Sequence, residues 1–215
     1  MGKRKQSLEL ATGLMLGSMA IRALSLSPLD SIAVVVHPDD PLDWLPALGN
    51  SAFSASPSAW PSIQVVTCTE ASQGMSFSIR CGLKALIDDN PKLDAVVVVL
   101  ADQPFITTGM IAELIGYLSE RPELDYVATA TDVGGEGEQN AILMPPAILS
   151  RSMFEVLLQL EGDAGARKLF GLPQFRGAAL LAADRTTVFD VDTPADMVLA
   201  TKQILGQTYI REHRF

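Results

Sequence analysis

The segment from Leu100 to Pro104 carries the residue best suited to holding a metal ion. It reads Leu-Ala-Asp-Gln-Pro and completes the apolar run Ala95 to Leu100, which is rich in valine. In open α/β sheets ligands bind beyond the carboxyl ends of the strands, which is where Asp102 is expected. Its carboxylate suits Mg²⁺, an ion that takes one or two carboxylates and completes its shell with phosphate oxygens and water. The alternative is that Asp102 only begins a turn ahead of Pro104, and the residue taken alone favours that alternative.

A second acidic group reads Asp-Val-Asp-Thr-Pro and begins at Asp190. We predict a strand over Val188 to Val191, and alternation along it places Asp190 and Asp192 on the same side. Thr193 at the N-cap, followed by proline and by an acidic residue three positions later, predicts the start of a helix. For Asp192, metal ligation and a role in the turn are supported equally.

Two glycine-containing segments precede further predicted helices. Gln73 to Ser78 presents amides and hydroxyls that suit a nucleotide phosphate or base edge, and the alternative is an ordinary helix start. Glu161 to Lys168 carries two cations and could contact an anionic second substrate. Equally, Asp163 in that segment could be a simple N-cap.

These segments lie within an alternation of strands and helices. Runs apolar on both faces indicate a sheet covered by helices on both sides, as in parallel α/β folds. A length of 215 residues is compatible with one domain over 1–215. The predicted strands are Ile32 to Val36, Ser62 to Cys68, Ala95 to Leu100, Tyr126 to Thr131, Ala141 to Met144 and Val188 to Val191; the predicted helices carry Leu14 to Leu24, Ile79 to Ile87, Ile111 to Leu118 and Met197 to Leu205.

Composition excludes several classes of partner. The chain has 25 acidic and 16 basic residues, a net charge of −9, which argues against binding to nucleic acid or to an anionic membrane. No uncharged apolar stretch reaches the ~18 residues of a membrane span, and we expect a cytoplasmic protein. The two cysteines, Cys68 and Cys81, are expected to be reduced thiols in the core.

Taken in order, five segments resemble the MobA-like nucleotidyltransferases, most closely the molybdopterin cytidylyltransferase branch. The segments are Met1 to Lys5, Gln73 to Leu83, Leu100 to Pro104, Gly162 to Arg167 and Phe189 to Asp196. The resemblance implies a three-layer, Rossmann-like α/β fold with a mostly parallel sheet, of the nucleotide-diphospho-sugar transferase type.

The resemblance also implies roles for individual residues. Asp102 would be catalytic and bind Mg²⁺, and Asp192 would be a second carboxylate at the metal. Lys5 would contact the triphosphate and take part in catalysis. The nucleotide-binding residues would be Gly2, Lys5, Gly74, Met75, Ser76 and Ser78, and the acceptor side would hold Asp163 and Arg167.

Such enzymes move a nucleoside monophosphate from a Mg²⁺-bound NTP onto a phosphorylated small molecule and release pyrophosphate. The branch implies CTP as donor and molybdopterin as acceptor, with a molybdenum hydroxylase as the recipient of the product. Guanylyl transfer and another phosphorylated acceptor remain open. So does a catalytically impaired maturation factor that binds a cofactor.

Two departures from the family pattern bear on these expectations. The family signature Leu-Ala-Ala-Gly-x-Ser-x-Arg normally precedes Met-Gly-x-x-Lys, whereas this chain begins at that Met. We therefore expect the first strand and its phosphate-binding glycine loop to be absent, through a start site assigned too late or a truncation. Many relatives also have Gly-His-Pro where this chain has Glu138, Gln139 and Asn140.

Overall fold

A computed structural model describes residues 4–46, 61–132 and 141–212 of the chain. The eight strands within these ranges are β1 Glu9–Ala11, β2 Leu14–Met15, β3 Ser31–Val36, β4 Ser62–Thr67, β5 Ala95–Val98, β6 Tyr126–Asp132, β7 Ala141–Ser150 and β8 Gly177–Leu181. The five α-helices are α1 Leu16–Ser25, α2 Met75–Asp89, α3 Thr108–Ser119, α4 Phe154–Leu158 and α5 Pro194–Glu212. Strands and helices alternate through most of the chain, as the sequence predicts.

The sequence predicts one strand wrongly, misses another, and begins the first helix too early, because Leu14 lies in β2. Val188 to Val191 is not a strand, because a 3-10 turn over Arg185–Val188 leads from there directly towards α5. β8, which the sequence did not predict, reads Gly-Ala-Ala-Leu-Leu. It lacks the β-branched and aromatic residues that mark strands, and it forms because it pairs with β6.

The strands form a mixed arrangement rather than one parallel ladder. β3 and β4 are a parallel pair, and a four-stranded sheet has the order β5-β7-β6-β8. In that sheet β7 runs antiparallel to both β5 and β6, whereas β6 and β8 are parallel. No backbone hydrogen bond joins β3 to β5 within the described ranges.

Helices cover both faces of the four-stranded sheet. On one face Leu114 of α3 shares an apolar cluster with Val127 of β6. On the other face Leu157 of α4 shares a cluster with Leu149 of β7. The three-layer α/β architecture expected from the sequence is confirmed.

Two helices connect the two sheets. In α1, Ile21 packs with Val34 of β3, while Ala23 belongs to a cluster that includes Val97 of β5. In α2, Gly82 lies so close to β3 that an added Cβ would meet Val35 Cγ2 at 2.8 Å. Its neighbour Leu83 shares a cluster with residues of β5. The β3–β4 pair and the larger sheet therefore lie between the same helices.

None of the helices described is long and apolar enough to cross a lipid bilayer.

Candidate active site

Lys5 joins the two acidic segments. Its Nζ donates hydrogen bonds of 2.8 Å to Asp102 Oδ2 and of 2.8 Å to Asp192 Oδ1. Because both carboxylate oxygens contact one nitrogen, they cannot be further apart than twice that distance. The three residues come from the start of the chain, from the segment after β5 and from the segment before α5, so only the fold brings them together.

Backbone contacts hold the two acidic segments in register. The amide of Val191 donates a 3.0 Å hydrogen bond to the carbonyl of Asp102. A capping box begins α5: Asp196 Oδ2 accepts from the amide and the hydroxyl of Thr193, and the amide of Asp196 donates back to that hydroxyl. The pKa of Asp196 is lowered by these hydrogen bonds. The predicted helix start is confirmed, and it fixes the backbone that carries Asp192.

Three buried oxygens at this edge have no hydrogen-bond partner among the described residues: Asp102 Oδ1, Asp190 Oδ1 and Gln103 Oε1. Gln103 is only 1% exposed, and its Nε2 donates to the carbonyl of Pro145. Buried polar oxygens are normally paired, so a cluster of unpaired ones indicates a place where water or an ion completes the bonding. This edge of the sheet therefore offers several oxygen atoms of the kind that ligate a hard cation.

Opposing effects act on the ionisable groups here. Burial raises the pKa of Asp190, the neighbouring amide group of Gln103 and the charge of Lys5 lower it, and the nearby charges of Asp102 and Asp192 raise it. Burial acts to lower the pKa of Lys5, but its hydrogen bonds and charge interactions with Asp102 and Asp192 outweigh burial, so the pKa is raised. Lys5 therefore stays protonated at neutral pH and offsets part of the negative charge.

Arg4 anchors the segment that carries Lys5. Its Nη2 lies 3.0 Å from Nδ1 of His37, which directly follows β3. The amide of Asp39 also approaches this nitrogen, at 3.1 Å. Because Arg4 and the amide can only donate, Nδ1 is the acceptor in both contacts. Arg4 therefore contacts the residue that follows β3, and its neighbour Lys5 contacts Asp102 in the segment that follows β5.

The two glycine-containing segments meet each other. Ser76 at the start of α2 donates its hydroxyl (2.6 Å) and its amide (3.3 Å) to the carbonyl of Gly162. The amide of Met75 donates to Asp163 Oδ1 at 3.3 Å. Gly74 has φ +134°, and a Cβ there would lie 2.3 Å from the Gly162 carbonyl oxygen. The predicted nucleotide segment and the predicted acceptor segment are therefore in direct contact.

The contact between the two segments occupies backbone amides and a carboxylate that the sequence predicts to be available to ligands. The amides that begin α2 are bonded to the other segment, and Asp163 caps α2 rather than the short 3-10 turn Ala166–Leu169. Arg80 stacks on Phe77 and donates from Nη1 to the carbonyl of Leu160, so it fastens the same junction.

Three other predicted positions take no part in the contacts described above. Arg167 is exposed beyond the junction, Ser78 is half-buried in the first turn of α2, and Gly2 lies outside the described residues. Sequence reasoning did not select Gln103 or Asp190 as site residues. Their signal was present, because Gln103 adjoins Asp102 and Asp190 alternates with Asp192.

The three-layer α/β architecture and the acidic edge with its bridging lysine agree with the nucleotidyltransferase class that the sequence predicts. The family of MobA-like NTP transferase domains matches residues 1–179. The chain belongs to that family and is an enzyme of the nucleotidyltransferase class. No match was found among curated proteins.

Solved structures share the fold. A homologue of Rv0371c from Mycobacterium sp. strain JC1 has 22% sequence identity and a TM-score of 0.71, with 96% of this chain and 91% of that chain covered. Rv0371c from Mycobacterium tuberculosis, in a complex with manganese, has 19% identity and a TM-score of 0.64 over 94% and 93% of the chains. The 4-diphosphocytidyl-2C-methyl-D-erythritol synthase of Anaerococcus prevotii has 16% identity and a TM-score of 0.63 over 90% and 87%.

Proposed function

We propose that this nucleotidyltransferase acts as a single Mg²⁺-dependent domain that transfers CMP from CTP to molybdopterin and releases pyrophosphate. The product would serve a molybdenum hydroxylase. The observation that carries the metal and phosphate part of this proposal is the placement of Lys5 between Asp102 and Asp192. The unpaired Oδ1 of Asp102 beside them supports it further.

The chemistry requires that charge be neutralised where two anions meet. A phosphorylated acceptor must approach the α-phosphate of the nucleotide in line with the leaving pyrophosphate. The ammonium of Lys5 offsets phosphate charge and positions both carboxylates. Mg²⁺, when bound, would neutralise charge on the phosphates and on the leaving group.

The residues present fit such an ion. Asp102 and Asp192 would hold it, with Asp190 close by. No group of three His, Cys, Asp or Glu side chains suited to a metal occurs in 4–46, 61–132 and 141–212. Two carboxylates with the remaining positions left to phosphate oxygens and water are the coordination that Mg²⁺ favours.

The choice of donor and acceptor has separate support. CTP is favoured by the resemblance to the cytidylyltransferase branch, and it agrees with a solved relative whose name specifies a cytidyl product. The acceptor would lie against Asp163 and Arg167, which are exposed beside the nucleotide segment at the start of α2.

The decisive experiment measures pyrophosphate release from each NTP in turn, with and without molybdopterin and with Mg²⁺ or EDTA. We expect release only with CTP, acceptor and metal. Release of pyrophosphate from GTP would instead support guanylyl transfer. Binding of molybdopterin without any release would indicate a maturation factor instead.

Asp102→Asn tests the site itself. We expect it to lower kcat/KM at least about 100-fold, the scale of loss when a group that positions reacting charges is removed. Asp88→Asn, the same change at an exposed position on α2, should leave activity unchanged. Full turnover of Asp102→Asn at saturating Mg-CTP would contradict the assignment.

A further inference from the structure

The two cysteines of the chain lie in direct contact, away from the lysine and its carboxylates. Cys68 directly follows β4 and is fully buried, while Cys81 lies on α2 and is half-buried. Sγ of Cys81 lies 2.7 Å from Sγ of Cys68. No other side chain separates the two sulfur atoms.

The backbone on each side of this contact is anchored. The amide of Cys68 donates to the carbonyl of Val36, and its own carbonyl accepts from the amide of Ala71. Cys81 is held by α2, which packs on β3 through Gly82. A bond between the sulfurs would therefore join two elements that are already in position.

The stretch between the cysteines contains residues that are predicted to bind nucleotide. Residues 68–81 include Gly74 to Ser78, and Ser76 in this stretch contacts Gly162. A covalent link between Cys68 and Cys81 would close this stretch into a ring. It would limit how far the start of α2 can separate from the end of β4.

We propose that Cys68 and Cys81 form an intrachain disulfide when the protein meets a peroxide. The inference rests on the contact of the two thiols and does not depend on the proposed transferase activity. The sequence predicts that both cysteines are reduced, and the structure places those reduced thiols where oxidation can join them.

The reaction proceeds in two balanced steps. The Cys81 thiolate, on the more accessible sulfur, attacks an oxygen of hydrogen peroxide; an S–O bond forms, the O–O bond breaks, and the hydroxide that leaves takes up a proton to become water. Sγ of Cys68 then attacks Sγ of Cys81. An S–S bond forms, the S–O bond breaks, and the departing hydroxide takes the Cys68 proton as a second water. The two thiols are oxidised and the peroxide is reduced.

The rate should depend on pH. Burial, the hydrogen bond and charge of Cys68 and the charge of Glu70 together raise the pKa of the Cys81 thiol to about 11, against the opposing effect of Lys84. Since the thiolate is the reacting species, only a small fraction of the protein reacts at any moment at pH 7. We expect the rate to rise about tenfold per pH unit below this pKa.

The test treats the reduced, full-length chain with hydrogen peroxide at pH 7, 8 and 9. Remaining thiols are then alkylated, and peptides are mapped by mass spectrometry without reduction. We expect a monomer that has lost two hydrogen masses, with peptides around Cys68 and Cys81 cross-linked and a reaction that is faster at higher pH. Added dithiothreitol should restore both thiols.

Thermal unfolding provides a second readout on the same samples. A disulfide that closes a ring of this size should raise the Tm of the oxidised protein above that of the reduced protein by roughly 5 °C or more. In Cys68→Ala, Cys81 should gain oxygen instead of forming a cross-link. Peptide mapping of the oxidised wild-type protein tests the proposal even if Cys68→Ala folds poorly.

Two outcomes would overturn the proposal. One is that both thiols of the wild type are still alkylated after peroxide treatment. The other is that Cys81 is oxidised to the sulfinic acid, or joins a second chain, while Cys68 stays reduced.

Discussion

At the scale of single residues, Lys5 has two effects that can be separated. It neutralises part of the charge of Asp102 and Asp192, and it presents an ammonium group where phosphate is proposed to bind. Asp102 is 27% exposed and Asp192 is 69% exposed, so water weakens the ion pairs and their contribution to stability is small. We therefore propose that the main role of Lys5 is functional rather than structural.

Lys5→Met should separate these effects. We expect kcat/KM to fall at least about 100-fold, because the positioned charge is lost. Binding of Mn²⁺, followed by electron paramagnetic resonance, should stay the same or become tighter, because a cation no longer competes for the carboxylates. Lys202→Met, at an exposed position on α5, is the matched control and should change neither quantity. Turnover of Lys5→Met within threefold of wild type would refute the role.

Which residues form this site could be predicted only in part. Local patterns mark Asp102 and Asp192 as candidates, but their predicted metal roles and the role of Lys5 come from the resemblance. Asp190 and Gln103 adjoin these residues in the sequence, but the feature that distinguishes them is a buried oxygen without a hydrogen-bond partner among the described residues, and this depends on the packing of segments far apart in the chain. Similarly, His37 was an isolated histidine in the sequence, yet it contacts Arg4, 33 positions away.

At the scale of elements, the start of α2 depends on a distant loop. Gly74 has no side chain to cap the helix, and the caps come instead from Gly162 and Asp163. The sequence predicts each glycine segment as a separate site beside its own helix. It does not predict their contact, because a hydrogen bond between residues 86 positions apart leaves no local pattern. The capping box at Thr193, by contrast, is contained within four residues and was predicted correctly.

Gly74→Ala tests this junction. A Cβ would lie 2.3 Å from the Gly162 carbonyl oxygen, and φ of +134° is strained for any L side chain. We expect a loss of at least about 2 kcal/mol in the free energy of unfolding, measured by urea denaturation, together with weaker NTP binding in calorimetry.

Gly116→Ala in α3 is the matched control. An added Cβ there meets no atom within 4 Å, and the helical backbone accepts alanine, so stability should rise by roughly 0.5–1 kcal/mol. Equal stability of Gly74→Ala and wild type would mean that the Gly162 loop moves away at little cost and does not cap α2.

At the scale of the whole molecule, two separate sheets are held together by helix packing. α1 and α2 contribute to clusters with both β3 and β5, yet these strands share no backbone hydrogen bond within the described residues. Arg4 and Lys5 lie where both strands end, beside His37 and Asp102. Among the described residues, β3 pairs only with β4 and β5 only with β7, so each has an unpaired edge, and these edges occur between the helices that cover them.

Amide hydrogen exchange measures the consequence. Successive amides of a strand point to opposite sides, so about half of those in β3 point away from β4, and about half of those in β5 point away from β7. In this chain the outward amides should exchange much faster than those of β6 and β7, which are paired on both sides. Equal protection of both sets would show that the edges of β3 and β5 are paired, and the separation of the two sheets would then be wrong.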